Sequence, residues 1–137
     1  MEKRVMSVLE DEKKRDVKQL NPIVLAYIGD SVYELFVRTA VLKKEAKVNN
    51  LHKESVKYVK AEAQAEALKA LAEELTEEET SIIKRARNNK SIHIPKNCSP
   101  MDYRNATGFE ALIGYLYLTN QNERLKEVIG KSLKESS

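Results

Sequence analysis

The chain of 137 residues holds a single cysteine, Cys98. That excludes an internal disulfide and any cysteine-rich zinc module, and points to a reduced, cytoplasmic compartment. With 4 glycines and 3 prolines, turn-formers are too few for a sandwich or barrel of many short strands. His52 and His93 are the only histidines. No HExxH or paired-histidine spacing is present, which argues against zinc chemistry, and no GxxxxGK[ST] loop supports nucleotide hydrolysis. No apolar run approaches the ~18 residues of a membrane span. The segment MEKRVMSVLEDEKKR lacks an apolar h-region, so no secretory signal is expected.

What is present favours one globular, all-α domain. Hydrophobic residues make up 42% of the chain and charged residues 33%, a balance that supports a packed core rather than disorder. Ala, Leu, Glu and Lys dominate, and they are strong helix-formers. The net charge is only +3, but its signs are segregated. Residues 43–60 carry six Lys against two Glu, and residues 61–80 carry seven Glu against one Lys. Residues 84–104 carry six Lys and Arg against one Asp. Two basic stretches around an acidic one suit an anionic partner on one face; solvated helix faces are the alternative.

Residues 1–19 read as a charged lead-in, and residues 20–137 as the domain. Asn21 as N-cap with Pro22 at the first helical position predicts a helix from 22 to about 41. Asn49-Asn50 predicts the cap of one long helix over about 50–74. Thr76 with Glu79 matches a capping box that starts a helix into Lys84–Arg87. Residues 88–99 read as a loop. Ser99-Pro100 predicts a helix to about 119, and a last helix covers about 122–135.

Two of these helices carry acids that need an explanation. At about 100° per residue, Glu34, Tyr27 and Arg38 share the side of Asp30. Leu25, Ile28, Val32 and Leu35 fall on the opposite side, as the expected core stripe. Like charges four apart destabilise a helix. Either Arg38 relieves Glu34 on a solvated face, or a cation sits between the carboxylates. The segment GFEALIGYLYL has one charge, Glu110, in a helix apolar nearly all round, and a carboxylate in such a helix needs a partner. Glycine inside a helix is unfavourable, so Gly29, Gly108 and Gly114 are expected where another backbone comes close. If the two helices pack together, Asp30, Glu34 and Glu110 can converge on one metal. A buried carboxylate paired with Arg or Lys remains the other reading.

YIGDSVYELFVR at 27–38 resembles the signature helix of ribonuclease III catalytic domains, and FEALIGYLYL at 109–118 resembles their second acidic helix. The chain ends soon after the second motif, so no double-stranded-RNA-binding domain is expected. With LNPIVLAYIGD, LHKESVKYVKAEAQAEAL, KRARNNK and YRNATGFEALIGYLYL, it is similar to the short Mini-ribonuclease III branch of that family. The resemblance implies a ribonuclease III endonuclease-domain helical bundle, homodimeric, that hydrolyses double-stranded RNA with Mg²⁺. It implies maturation of the ends of the large-subunit ribosomal RNA precursor, with a ribosomal protein as a partner presenting the RNA. It implies products with 5′-phosphates, 3′-hydroxyls and short 3′ overhangs. Asp30 matches the catalytic, metal-binding aspartate and Glu110 the metal-binding glutamate, with Glu34 a weaker third candidate. Where the standard enzyme has further acids, this chain has Ala26, Thr107 and Ile23. Water or RNA phosphate must then complete the shell, as Mg²⁺ allows.

Without an appended domain the catalytic unit must grip A-form RNA through phosphates and 2′-hydroxyls. Lys84, Arg85, Arg87, Asn88 and Lys90 resemble the family's basic segment, with Ala86 in place of its glycine. His52 and Lys53, with Ser55 and Lys60, form a second candidate patch. Arg104, beside Tyr103, either meets RNA or positions the catalytic helix. Tyr115 and Tyr117 suit the core or a dimer interface, and Cys98 has no catalytic context. A non-catalytic RNA-binding or dimeric scaffold protein with the same fold is the alternative that the missing acids leave open.

Overall fold

A computed structural model describes residues 14–44 and 47–135. They form helices joined by loops, with no strand among the described residues. The helices are α1 (Lys14–Lys18), α2 (Pro22–Lys44), α3 (Val48–Val59), α4 (Ala61–Leu71), α5 (Glu77–Arg87), α6 (Pro100–Leu118) and α7 (Asn122–Glu135). A 3₁₀ turn, Ala72–Glu74, extends α4. Of the charged lead-in, residues 1–13 lie outside the described residues. Val17 of α1 is buried in the core, and Lys18 pairs with Glu78 at 2.7 Å.

The expected starts of α2, α5 and α6 are made by the expected caps. Asn21 Oδ1 accepts from the Ile23 N–H at 2.9 Å, ahead of Pro22. Thr76 and Glu79 form a reciprocal capping box, each bond 3.1 Å. Ser99 Oγ accepts from the Asp102 N–H at 3.3 Å, ahead of Pro100. These caps satisfy N–H groups that the first helical turn leaves without partners.

The single helix expected over 50–74 is instead two helices and a 3₁₀ turn. The chain breaks at Lys60, which is extended at φ −66° and ψ 152°. No glycine or proline marks the break; a side-chain bond across it does. The Gln64 side chain takes the Val59 carbonyl at 2.9 Å, at the end of α3. The expected Asn49-Asn50 cap is also displaced. The helix begins at Val48, and both asparagines lie inside its first turn.

α6 is the central helix. It packs against α2, α4, α5 and α7, and its segment from Ala106 to Leu116 is buried except at Glu110. The inward stripe of α2 differs from the expected one. It consists of Leu25, Ala26, Gly29, Tyr33, Val37 and Val41; Ile28 and Val32 flank it, and Leu35 is 66% exposed. Leu25 is buried as expected, but the stripe is rotated away from Leu35, because Ala26 and Gly29 let α6 approach on their side. Tyr33 then meets Phe109 edge-on at 5.1 Å, and its hydroxyl lies 3.1 Å from Ser132 Oγ on α7.

A buried ion pair closes the far end of the bundle. Arg124 donates from Nε and Nη2 to the two Glu79 oxygens, at 2.9 and 2.8 Å. Burial raises the Glu79 pKa, but the Arg124 guanidinium and the Thr76 contacts outweigh it, and the carboxyl ends below its usual range. Glu79 thus serves the capping box and Arg124 together, and only the first role was legible from spacing.

Candidate active site

Gly29 and Gly114 bring α2 and α6 into backbone contact. A Cβ on Gly29 would collide with the Glu110 carbonyl and stand 2.8 Å from Gly114 N. A Cβ on Gly114 would collide with the Leu25 carbonyl and stand 3.1 Å from Gly29 N. Gly108 faces α5 instead, where a Cβ would meet Ile83 Cγ2 at 3.0 Å. All three glycines therefore stand where a neighbour is close, as expected.

The crossing sets Asp30 beside Glu110. Asp30 follows Gly29 directly and is exposed at the edge of the inward stripe, not opposite it. Glu110, half-buried, is hydrogen-bonded to Asp30 and takes a second bond from Gln64 Nε2 at 3.3 Å. Burial above all, then the charge and hydrogen bond of Asp30, push the Glu110 carboxyl up to about 8. Glu34 adds to the rise and the Gln64 amide opposes it. Among the described residues, the side chains hydrogen-bonded to Glu110 are an acid and an amide rather than an Arg or Lys.

Glu34 lies near enough to act on Glu110 through its charge, but its carboxylate is 3.3 Å from Arg38 Nη2. Among the described residues no group of three or more His, Cys, Asp and Glu is placed to hold a metal ion. Ala26 and Thr107 are buried, and the Thr107 hydroxyl donates to the Tyr103 carbonyl at 2.9 Å. The donor set is therefore two adjoining carboxylates. They are hard oxygen ligands of the number that Mg²⁺ takes from protein while keeping several waters. Two like charges pressed together in a half-buried site are what a divalent cation would relieve. The residues present fit such an ion.

The basic candidates divide by what they touch. Lys84 and Lys90 are exposed, and Asn88 is the exposed C-cap of α5. Arg85 donates to the Lys18 and Leu20 carbonyls at 2.6 and 3.4 Å. Arg104 donates to the Arg87 and Asn89 carbonyls at 2.9 and 3.2 Å, which ties the end of α5 to α6. Arg87 is half-buried. On α3, His52 and Lys53 are exposed and Ser55 is buried. His52 lines a groove between α2 and α3 with Leu35, Leu42, Val48 and Leu51. Tyr115 is fully buried in the core, whereas Tyr117 is half-buried.

Reasoning from the sequence missed Gln64, which is 2% exposed. A signal for it existed. It is the one polar residue at the i−4 and i−7 positions of Leu68 and Leu71, on the apolar face of a helix.

Residues 23–121 match the family described as Ribonuclease III domain. The chain is 52% identical to Mini-ribonuclease 3 of Clostridium tetani over 122 residues, 88% of this chain and 81% of that protein. It is 51% identical to Mini-ribonuclease 3 of Thermoanaerobacter sp. over 137 residues, 97% and 96% of the two chains. A crystal structure of a protein from Fusobacterium nucleatum superposes with a TM-score of 0.79 at 33% identity, covering 89% of this chain and 98% of that one.

Proposed function

We propose that this chain, which belongs to the ribonuclease III domain family and is an endoribonuclease of that type, cuts double-stranded RNA with Mg²⁺ held by Asp30 and Glu110. The observation that carries the proposal is the contact between these two carboxyls, with Glu110 raised to about 8 and no cation among the described residues that hydrogen-bonds to it. Held by Asp30 and Glu110, Mg²⁺ would supply a bound water of lowered pKa and would offset charge developing on phosphoryl oxygens. Asp30, exposed at the rim, faces the phosphate backbone; Glu110, deeper, is held in one orientation by its neighbours. Products with 5′-phosphate and 3′-hydroxyl ends require that water attack phosphorus while the bond to the 3′ oxygen breaks, the 3′ oxygen leaving as the hydroxyl. Glu34 acts on the site through its field while paired with Arg38.

The RNA-contacting groups in this proposal are Lys84, Asn88 and Lys90 at the end of α5, with His52 and Lys53 on α3. Arg85, Arg87 and Arg104 shape the first of these patches, because two of them hold backbone carbonyls there. The chain works as a homodimer, so that two sites address two strands. Exposed Leu35, Leu42 and Val48, at 66, 63 and 82%, support a covered apolar face between α2 and α3. The substrate we assign is the large-subunit ribosomal RNA precursor, presented by a ribosomal protein, in the cytoplasm. The likeness to Mini-ribonuclease 3 proteins supports that assignment. Among the described residues no helix is long and apolar enough to cross a membrane. We place the catalytic unit at residues 20–137, with Val17 of the lead-in packed into its core.

The test is incubation of the purified protein with a long RNA duplex, with and without Mg²⁺, beside Asp30→Asn. Mg²⁺-dependent products with 5′-phosphates, lost in the variant, are expected. Cleavage by Asp30→Asn at the wild-type rate would overturn the assignment. Sedimentation of the wild-type protein as a monomer would overturn the homodimer.

A further inference from the structure

Gln64 is the least exposed polar side chain near the two acids, at 2%. A buried amide is costly unless its hydrogen bonds are met. Both hydrogens of Nε2 have acceptors, the Val59 carbonyl at 2.9 Å and Glu110 Oε2 at 3.3 Å. That pair of acceptors also fixes which end of the amide is nitrogen. Oε1 is left buried with no protein partner.

The rest of the surroundings gives Glu110 little to hold it. Asp30 repels it when both are ionised, Glu34 faces Arg38, and Thr107 is bonded to the Tyr103 carbonyl. A lysine or arginine at position 64 would also orient the carboxylate, but its charge would displace a divalent ion. A neutral amide orients without neutralising. Anchored on Val59 at the break between α3 and α4, it is itself fixed in place.

We infer that Gln64 is a positioning residue for metal binding: its Nε2, anchored on Val59, holds the Glu110 carboxylate toward Asp30. The inference rests on the assignment of Asp30 and Glu110 as the ion-holding pair. Residues that orient a metal ligand this way typically change metal affinity by about 10–100-fold when removed.

The test is titration of the full chain with Mn²⁺, followed by the free-ion electron paramagnetic resonance signal. Wild type, Gln64→Met, Gln64→Asn and Glu110→Gln are compared. Thermal melts and metal-free affinity for an RNA duplex are measured alongside. Gln64→Met keeps the length and flexibility of the side chain without the amide. Gln64→Asn keeps the amide but draws it back by one methylene. Both are expected to melt cooperatively, to bind duplex as wild type does, and to bind Mn²⁺ about 10–100-fold more weakly. Cleavage is expected to recover at high metal concentration, so that the half-saturating Mg²⁺ rises while kcat changes little. Wild-type Mn²⁺ affinity in either folded variant would overturn the inference and leave the Asp30–Glu110 assignment standing. Failure of both variants to fold would also overturn it, in favour of a purely structural Gln64. Wild-type Mn²⁺ affinity in Glu110→Gln, by contrast, would overturn the ion-holding pair itself.

Discussion

Gly29 and Gly114 each occupy the space that the other's helix needs, so a Cβ on either would strike backbone carbonyl rather than a side chain that can move. The two acids owe their contact to this crossing: Asp30 adjoins Gly29, and Glu110 precedes Gly114 by one helical turn. The helices must part before an alanine can enter at either position. Gly29→Ala and Gly114→Ala are expected to lose stability by overpacking, at or above the upper end of about 1–3 kcal/mol. Cleavage should fall further than stability does. Urea unfolding beside single-turnover cleavage of duplex RNA checks both effects.

The raised pKa of Glu110 makes metal-free stability depend on pH. An acid whose folded pKa lies above its unfolded value binds more protons folded than unfolded between the two. Stability therefore falls as pH rises from the ordinary carboxylate value, 4.5, to about 8, by at most about 1.4 kcal/mol per pH unit. Glu110→Gln is expected to flatten this part of the profile and to melt higher than wild type at pH 8 without metal. Added Mg²⁺ should raise the wild-type melt most at the alkaline end and leave Glu110→Gln nearly unmoved. Melting in chelator and in Mg²⁺ across this range tests the sign.

Glu79 and Arg124 behave oppositely. The Glu79 pKa is depressed, so its stabilisation is present above the ordinary carboxylate range and is lost as pH falls through its folded value. Removing one partner of a buried ion pair costs about 3–5 kcal/mol. Arg124→Met should reach the lower end of that range, because the Arg124 side chain is 20% exposed. The Arg124→Met, Glu79→Gln pair in a double-mutant cycle should show strong coupling, with Mn²⁺ affinity unchanged.

The basic residues should separate by role in a salt titration. Lys84→Ala and Lys90→Ala remove exposed charges and are expected to weaken duplex binding while lowering the salt slope by about one each. Arg104→Ala removes a tie between α5 and α6. It should lower the melting temperature, with a smaller effect on the salt slope. A steep slope change for Arg104 and none for Lys84 would reverse the assignment.

Three caps and the two acids were legible in the sequence because each is a local matter, whereas the expected Asn49-Asn50 cap and the single helix over 50–74 were not found. Asn21-Pro22, Thr76 with Glu79, and Ser99-Pro100 satisfy N–H groups within a few residues of themselves. Glu110 was conspicuous because it is the one charge in an apolar segment, and the glycines because helices disfavour them. Which side of α2 faces inward was decided only by tertiary structure. Leu35 has the spacing of a core residue and lies outside, since small Ala26 and Gly29 let α6 approach on their side. The place of Gln64 on an apolar helix face was legible from its spacing to Leu68 and Leu71, but that its amide reaches the carboxyl of Glu110, 46 residues away, was decided by packing. No glycine or proline announced the break at Lys60. The sequence by itself determined which segments are helical and which acids stand out in them, because those depend on near neighbours along the chain. Only packing decided which of those residues meet, because it depends on the shapes of surfaces far apart in sequence.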